Sequence, residues 1–582
     1  MNSRERRILH PIFLIQVLTL LGLLNSCVAN SSPEVAVPFY DFRSQAAFDS
    51  DIPGIEPAGY FAIGRRYVHA PRVEWHPVEG ATTYHLTLTQ RGRVLGTTVA
   101  KASPHYIENG WEHVEPRVPA QVTIKGFDDN GARVALSRMF PLYVAPGYDA
   151  GRTPEQARSY RDAALAAFRA LYEFELPSGA EIPEDGLPGE IHPVLRSAAV
   201  MPPDRVHERA FPALHDGAHA TMLEALLNIA DEDMLPDIRA YARSVGDHIL
   251  LCRVSEPDYA WKGMIWSAVD IACNPALGIP SARGALREKL SRAVDVAKCG
   301  YAAEGLVIVY EITGDDRYLD AALDIAELYV AHQMDDGSWA ARVDGKTGEI
   351  LTEYGTSVCA PIAFLNRLNK LRPDPRWTTA RDRALRWMLD NPMRTFAWFT
   401  NFDDTHRAVT KADQFAGSPS NFDLLFFLRY LCDNPDQVPA DIETRIRENL
   451  RWNDNHFVWY GPDPLLPYDP FYPCVGEQGH PNTFMNPGNC WVPMEFHTSN
   501  WGLTKLRLYK LTGNPRDLEM AKAAGNVLTQ YQLDNGRVPT FLGDQHFGTG
   551  VHRHMVPGSA TFWNAGWAFS AWFWAELSAT VE

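Results

Sequence analysis

The sequence predicts a mainly α protein of paired helices with a small antiparallel β-sandwich ahead of it. Three observations carry this: a repeated helical hairpin, helical periodicity sustained from Pro154 onward, and two-residue alternation between Tyr67 and about Val144. The repeat runs from Tyr310 to Trp339 and returns at Tyr509. Six positions keep one offset of 199 residues: Tyr310/Tyr509, Thr313/Thr512, Gly314/Gly513, Leu319/Leu518, Gln333/Gln532 and Gly337/Gly536. In each copy Thr-Gly ends one helix, where glycine takes the left-handed conformation after the last turn, and a second helix begins within a few residues. Leu319, Leu323, Ile325, Ala326 and Tyr329 approximate the helical period of that second helix, with Asp320, Asp324 and Glu327 between them. Such a hairpin cannot bury its apolar face alone, so several must stack or close into a ring.

Ahead of the helices, Val73-Glu-Trp75, Tyr84-His-Leu86-Thr-Leu88 and Val122-Thr-Ile124 read as short strands, with turns at Gly80-Ala81 and Asp129-Asn130-Gly131. Trp75 is expected in their core. The order Pro71, Trp75, Gly80-Ala81, Tyr84 and Asp128 to Gly131 resembles a fibronectin type III or immunoglobulin-like sandwich over about 80 residues, which implies a spacer or support. We place it at residues 65–150, after a linker at 28–64.

Helices are expected near 154–174, 207–230, 234–253, 258–274, 284–297, 299–313, 316–333, 354–371, 376–390, 419–433, 440–454, 495–512, 515–532 and 560–578. The ending Gln333-x-x-Asp336-Gly337-x-Trp339 resembles the turn element of α-toroid proteins, among them (α/α)6-barrel glycosidases, polysaccharide lyases and terpene cyclases. The resemblance implies an (α/α)6 toroid over 151–582, the fourteen helices giving six hairpins and a supporting pair. Its site would lie in the funnel formed by loops at one end of the inner helices.

The first residues read as a lipoprotein signal. Arg4, Arg6 and Arg7 precede the apolar run Ile12 to Leu24, too short for a permanent membrane span. Leu24-Asn25-Ser26-Cys27 resembles a lipobox, which implies cleavage after residue 26 and lipidation of Cys27. Val28 resembles the signature of outer-membrane sorting. The expectation is a bacterial envelope protein on the periplasmic or surface face of the outer membrane. Seven cysteines remain, an odd number that leaves at least one free thiol; most read as buried small hydrophobes, and Cys474 and Cys490, which share a loop, are the pair to bond if any does.

A net charge of −17 supplies no footprint for nucleic acid or an acidic membrane surface, yet leaves room for an acidic sugar held by a local cationic cluster. Of sixteen tryptophans, only Trp75 and Trp111 precede residue 150. No phosphate loop and no Gly-x-Ser-x-Gly elbow occurs. Cys474, His480, Cys490 and His497 lack metal-ligand spacing, so neither metal nor cofactor is expected.

Within Phe211 to His219, Asp216 lies between His215 and His219, a setting for a tuned general acid or base. Asp270, in an apolar segment read as helical with Trp266, is a carboxyl that burial would push upward. His215-Asp216-Gly217 and Val269-Asp270 with Asn274 resemble the two aspartate motifs of unsaturated glucuronyl hydrolases, which implies that both aspartates are catalytic. Glu353 and Tyr354 open a helix after the first repeat. Trp398, Asn401, Asp404, His406 and Arg407 mix aromatic and charged groups suited to a sugar and its carboxylate. The irregular stretch Trp452 to Trp501 carries Glu477, His480, Glu495, His497 and Asn500 as its polar chemistry, while Arg553 and Trp563 are expected to close the ring, where they would hold an acidic substrate.

The expected function is therefore hydrolysis of a uronic-acid-containing oligo- or polysaccharide by paired carboxylates, Asp216 and Asp270 first, with Glu353, Asp404 and Glu495 in reserve. His215, His219, Trp266, Tyr354, Trp398, Asn401, His406, Arg407, His497, Arg553 and Trp563 would bind the substrate. Two rivals stand beside it. A polysaccharide lyase on the same barrel would use a Tyr or His base, with Asn, Gln or Arg to neutralise the uronate, from among Tyr354, Asn401, His406, His497 and Asn500; a surface glycan-binding protein would use the aromatics without catalysis.

Overall fold

A computed structural model of the chain describes residues 54–56, 66–173, 198–201, 205–210, 212–267, 269–270, 293–352, 358–396, 398, 423–462, 470–477, 492–540, 542 and 562–582. Residues before Gly54, including Cys27, lie outside it.

The N-terminal part is a β-sandwich. Its strands are β1 (Gly54–Ile55), β2 (Arg66–Tyr67), β3 (Arg72–Val73), β4 (Thr83–Gln90), β5 (Arg93–Ala100), β6 (His105–Tyr106), β7 (Ala120–Phe127), β8 (Arg133–Ser137) and β9 (Phe140–Val144). One sheet runs β1-β8-β7-β4-β5, with β9 also on β7 and β2 on β9; β3 and β6 pair separately. Alternation puts Tyr84, Leu86 and Leu88 of β4 and Val122 and Ile124 of β7 inside, where Trp75 meets the Tyr84 ring at 5.0 Å.

Twelve long helices follow among the described residues: α1 (Tyr160–Tyr172), α2 (Pro212–Leu226), α3 (Leu235–Leu251), α4 (Val296–Thr313), α5 (Asp316–Ala331), α6 (Cys359–Leu371), α7 (Pro375–Asp390), α8 (Asp423–Asp433), α9 (Ile442–Phe457), α10 (Glu495–Thr512), α11 (Pro515–Tyr531) and α12 (Asn564–Val581). The even-numbered helices form an inner ring in which each packs on the next and α12 returns to α2. The odd-numbered helices lie outside. This is a mainly α (α/α)6 toroid preceded by a small, largely antiparallel sandwich.

The expected helix at 258–274 is not one. Residues 255–264 turn, with Gly263 at φ +94°, and Val269–Asp270 is a strand, β12. Likewise Arg205–Ala210 (β11) is a strand where a helix was expected to begin, and Ala293–Asp295 (β13) is one where a helix was expected to end. Short apolar runs do not distinguish a buried strand from a buried helix, which explains the excess of two.

The repeat proves architectural. Gly314 and Gly513 both stand at φ +73°, and their N–H groups donate to the carbonyls of Tyr310 and Tyr509 at 2.7 Å. Asp315 and Asn514 then cap the next helix through the N–H groups of Arg317 and Arg516. At the far end Gln333 Nε2 donates to the carbonyls of Gly337 (2.8 Å) and of Ala380 on α7 (2.7 Å). Gln532 Nε2 does the same for Gly536 (3.0 Å) and Ala163 on α1 (2.9 Å). Each copy thus joins one outer helix to the next, and the second joins the last hairpin to the first.

Connections from inner to outer helices are short, as at 314–315 and 513–514, while all those from outer to inner are long. They carry small sheets: β12-β11-β10-β19, with β10 (Ala198–Met201) and β19 (Phe562–Trp563); β13-β14-β15, with β14 (Arg342–Asp344) and β15 (Ile350–Thr352); and β16-β17-β18, with β16 (Val458–Trp459), β17 (Cys474–Glu477) and β18 (Val492–Pro493). The N-termini of all six inner helices therefore gather at one end, the mouth.

The sandwich braces α9. Asn455 Oδ1 accepts from the N–H groups of Val68 (2.8 Å) and His69 (2.7 Å), and His69 Nε2 lies 3.5 Å from Asp454. Asp454 is buried and also accepts from Trp501 Nε1 and the Tyr460 hydroxyl.

Candidate functional site

Ion pairs cross the ring at the end away from the mouth. Arg429 of α8 reaches Glu224 of α2 at 2.9 Å, although these helices occupy opposite places in the ring, so the pair lies on the axis. Arg429 also meets Glu304 of α4 at 3.2 Å, and Arg367 of α6 meets Glu224 at 2.7 Å and pairs with Glu311. Glu576 of α12 pairs with Arg507 of α10 and, at 3.1 Å, with Lys510. Every inner helix contributes. Burial would raise the Glu576 carboxyl, but Arg507 and Lys510 outweigh it and hold it at about 2.

An aromatic ladder climbs from this layer toward the mouth. The Arg429 guanidinium is 6.0 Å from the Trp572 ring; Trp572 meets Phe426 (6.3 Å) and Phe569 (5.7 Å), and Phe426 meets Tyr301 (4.5 Å). Phe569 meets Phe496 at 4.8 Å, and Phe496 meets His497 at 5.3 Å. Phe496, Asn500, Leu503 and Arg507 are spaced four, three and four residues apart, so they form one stripe of α10 toward the axis. His497 and Asn500 are buried there.

Glu495 is the first residue of α10 and has no exposed surface. Burial pushes its carboxyl well above the ordinary carboxylate range; the N–H groups of Glu495 and Phe496 and the Thr540 hydroxyl pull the other way. Those approaches are loose: neither oxygen has a partner in hydrogen-bonding geometry among the described residues. A carboxyl whose affinity for its proton is raised by burial, at a helix N-terminus in the mouth, suits the role of a general acid.

Asp216 is placed differently. It lies one turn into α2 and turns outward to α3, where its Oδ2 accepts from His248 Nδ1 at 2.7 Å. The other imidazole nitrogen is 3.4 Å from Cys252 Sγ. Burial raises Asp216 and would lower His248, but the Asp216 charge raises the imidazole. As a unit the pair keeps one proton to higher pH than a free imidazole would. His219 also faces α3, its Nδ1 2.8 Å from the Tyr241 hydroxyl, and His215 is buried. Gly217 has a packing reason: a Cβ there would stand 2.7 Å from the Tyr301 backbone, so glycine lets α2 and α4 touch.

Trp266 and Trp398 belong to the core. The Trp266 N–H donates to the Cys252 carbonyl at 3.0 Å, and Trp398 Nε1 donates to Asn449 at 2.9 Å. Asp270 is in β12 opposite Arg209, not on a helix, and Trp563 is in β19 opposite Ala199; their side chains are not described. Glu353, Tyr354, Asn401, Asp404, His406, Arg407, Arg553 and Cys490 lie outside the described residues. Cys252, Cys299 and Cys359 are buried, as expected. No cluster of metal-ligating side chains occurs among the described residues.

Asn500 was already among the polar candidates of the Trp452 to Trp501 stretch, whereas sequence reasoning missed His248, Tyr301 and the axial charges. A signal for the last existed: Glu304 and Glu576 stand in helices apolar all round, the same anomaly that singled out Asp270.

No family model matches the sequence, and no curated protein matches it. Among solved structures, it is similar to a family 76 glycoside hydrolase from a bovine Bacteroides thetaiotaomicron strain, at 10% identity and a TM-score of 0.44 over 91% of this chain and 100% of that one. A cellobiose 2-epimerase from Spirochaeta thermophila matches at 11% identity and 0.49, over 72% and 98% of the two chains. An unsaturated glucuronyl hydrolase specific for heparin matches at 11% and 0.44, over 72% and 96%. At these identities, and with TM-scores below 0.5, such similarities fix neither activity nor substrate.

Proposed function

We propose that the chain is a carbohydrate-active enzyme, a glycoside hydrolase of uronic-acid-containing oligo- or polysaccharides, with Glu495 as general acid at the mouth of the toroid. The observation that carries this is Glu495 itself: a buried carboxyl, raised by that burial and free of close hydrogen bonds among the described residues, at the N-terminus of an inner helix. The preference for an acidic sugar rests on the sequence alone, on the basic residues Arg407 and Arg553. We further propose that the sandwich, related to fibronectin type III modules, supports the toroid, and that lipidated Cys27 holds the protein at the outer membrane.

The test is incubation with uronic-acid polysaccharides and their lyase-generated oligomers, reading reducing ends and ultraviolet absorbance together. The reading expects new reducing ends without a new absorbing double bond. Glu495→Gln is nearly isosteric with the protonated acid, so it should fold normally and lose about 10²- to 10⁴-fold in kcat. Undiminished turnover in that variant sinks the assignment.

The lyase reading keeps one supporting observation, His497 and Asn500 buried side by side on α10. It would announce itself as rising absorbance during turnover.

A further inference from the structure

Asn500 has no exposed surface, and neither its Oδ1 nor its Nδ2 has a hydrogen-bond partner among the described residues. An amide buried in this way costs stability unless a protein group, an ordered water or a ligand satisfies it, and at the mouth of a ring the exchangeable partner is a ligand. Its position supplies the rest. Asn500 stands two turns above Arg507, on the axial stripe of α10, and one turn below Phe496, the half-buried ring at the top of the aromatic ladder.

We propose that Asn500 is the floor contact for a neutral pyranose ring, its amide taking a pair of adjacent ring hydroxyls while the ring face lies on Phe496. An amide offers a donor and an acceptor a short distance apart, and two neighbouring hydroxyls match both. A carboxylate would match only Nδ2 and set its second oxygen against Oδ1. The cations below are committed: Arg429 and Arg367 to Glu224, and Arg507 and Lys510 to Glu576. The uronate of a substrate therefore belongs at the rim, and the floor reads the neutral sugar beside it. This inference rests on the carbohydrate reading above and names the part of the substrate that reaches deepest.

The experiment uses the full chain with Asn500→Ala, which cannot overpack, and Asn500→Leu. Because an unsatisfied amide is removed, at least one variant should melt no lower than the parent without ligand, with a rise of about 1–3 °C. A merely structural asparagine would move both melting points down, and that result overturns the proposal. Binding is read by tryptophan fluorescence in the Glu495→Gln background with neutral gluco- and manno-oligosaccharides and with glucuronic-acid oligomers. We expect saturable binding of a neutral or mixed oligomer, weakened about 10- to 100-fold in the Asn500 variants. Equal affinity with and without Asn500, binding of homopolymeric uronates alone, or no saturable binding at all overturns it. Full turnover by Glu495→Gln would instead count against the general-acid assignment and leave these binding data readable.

Discussion

Asp216 and Asn500 both lie about one turn inside an inner helix, yet their surroundings differ. Asp216 is held by His248, and Cys252 occupies the imidazole's other nitrogen, so the group clamps the inner layer to the outer one. Removing one partner of such a pair strands a buried charge, a loss of about 3–5 kcal/mol. Asp216→Asn should therefore lower the denaturation midpoint strongly while turnover per folded molecule is retained; a stable but inactive variant would restore Asp216 to catalysis. The pairing of His215, Asp216 and His219 was legible as an unusual cluster, but the direction in which it points was not. That direction depends on which face of α2 meets α3, and the nearly uniform apolarity of α2 erases the signal. Glu495 stood among the sequence candidates without distinction because its burial comes from distant segments such as Thr540.

At the level of elements, the repeated hairpin was the most legible part of the chain. The glycine and glutamine positions repeated in both copies have local duties: positive φ at Gly314 and Gly513, and paired carbonyl contacts at Gln333 and Gln532. Gln333→Ala and Gln532→Ala should each cost about 1–2 kcal/mol in denaturant unfolding, since two carbonyls lose a donor. Only Gln532→Ala should raise hydrogen exchange in α1, because that side chain fastens the last hairpin to the first. Equal protection of α1 in both variants would refute this division of labour. The strands at the mouth were less legible. Val269–Asp270 and Ala293–Asp295 are too short and too apolar to announce a period of two, and their partners are remote in sequence.

For the molecule as a whole, closure of the ring follows from hairpin counting, but the charged layer that crosses it does not. Each of its charges looks solitary in the sequence, because every partner is contributed by a different helix. The layer also makes stability pH-dependent. Glu576 is depressed from 4.5 to about 2, so its contribution is complete above about pH 4.5 and is lost as the pH falls toward 2. Glu224 is lowered as well, while Glu304, raised by burial, acts in the opposite sense. Melting temperature should therefore fall between about pH 4.5 and 2, and Glu576→Gln, though less stable at neutral pH, should show a shallower decline there. Parallel curves would assign the acid sensitivity to other groups.

The same layer has a consequence for traffic. Ion pairs from every inner helix cross the axis beneath the mouth, so among the described residues the toroid is built as a cul-de-sac: a polymer would not be threaded through it, and whatever descends would climb back out past the next arrival.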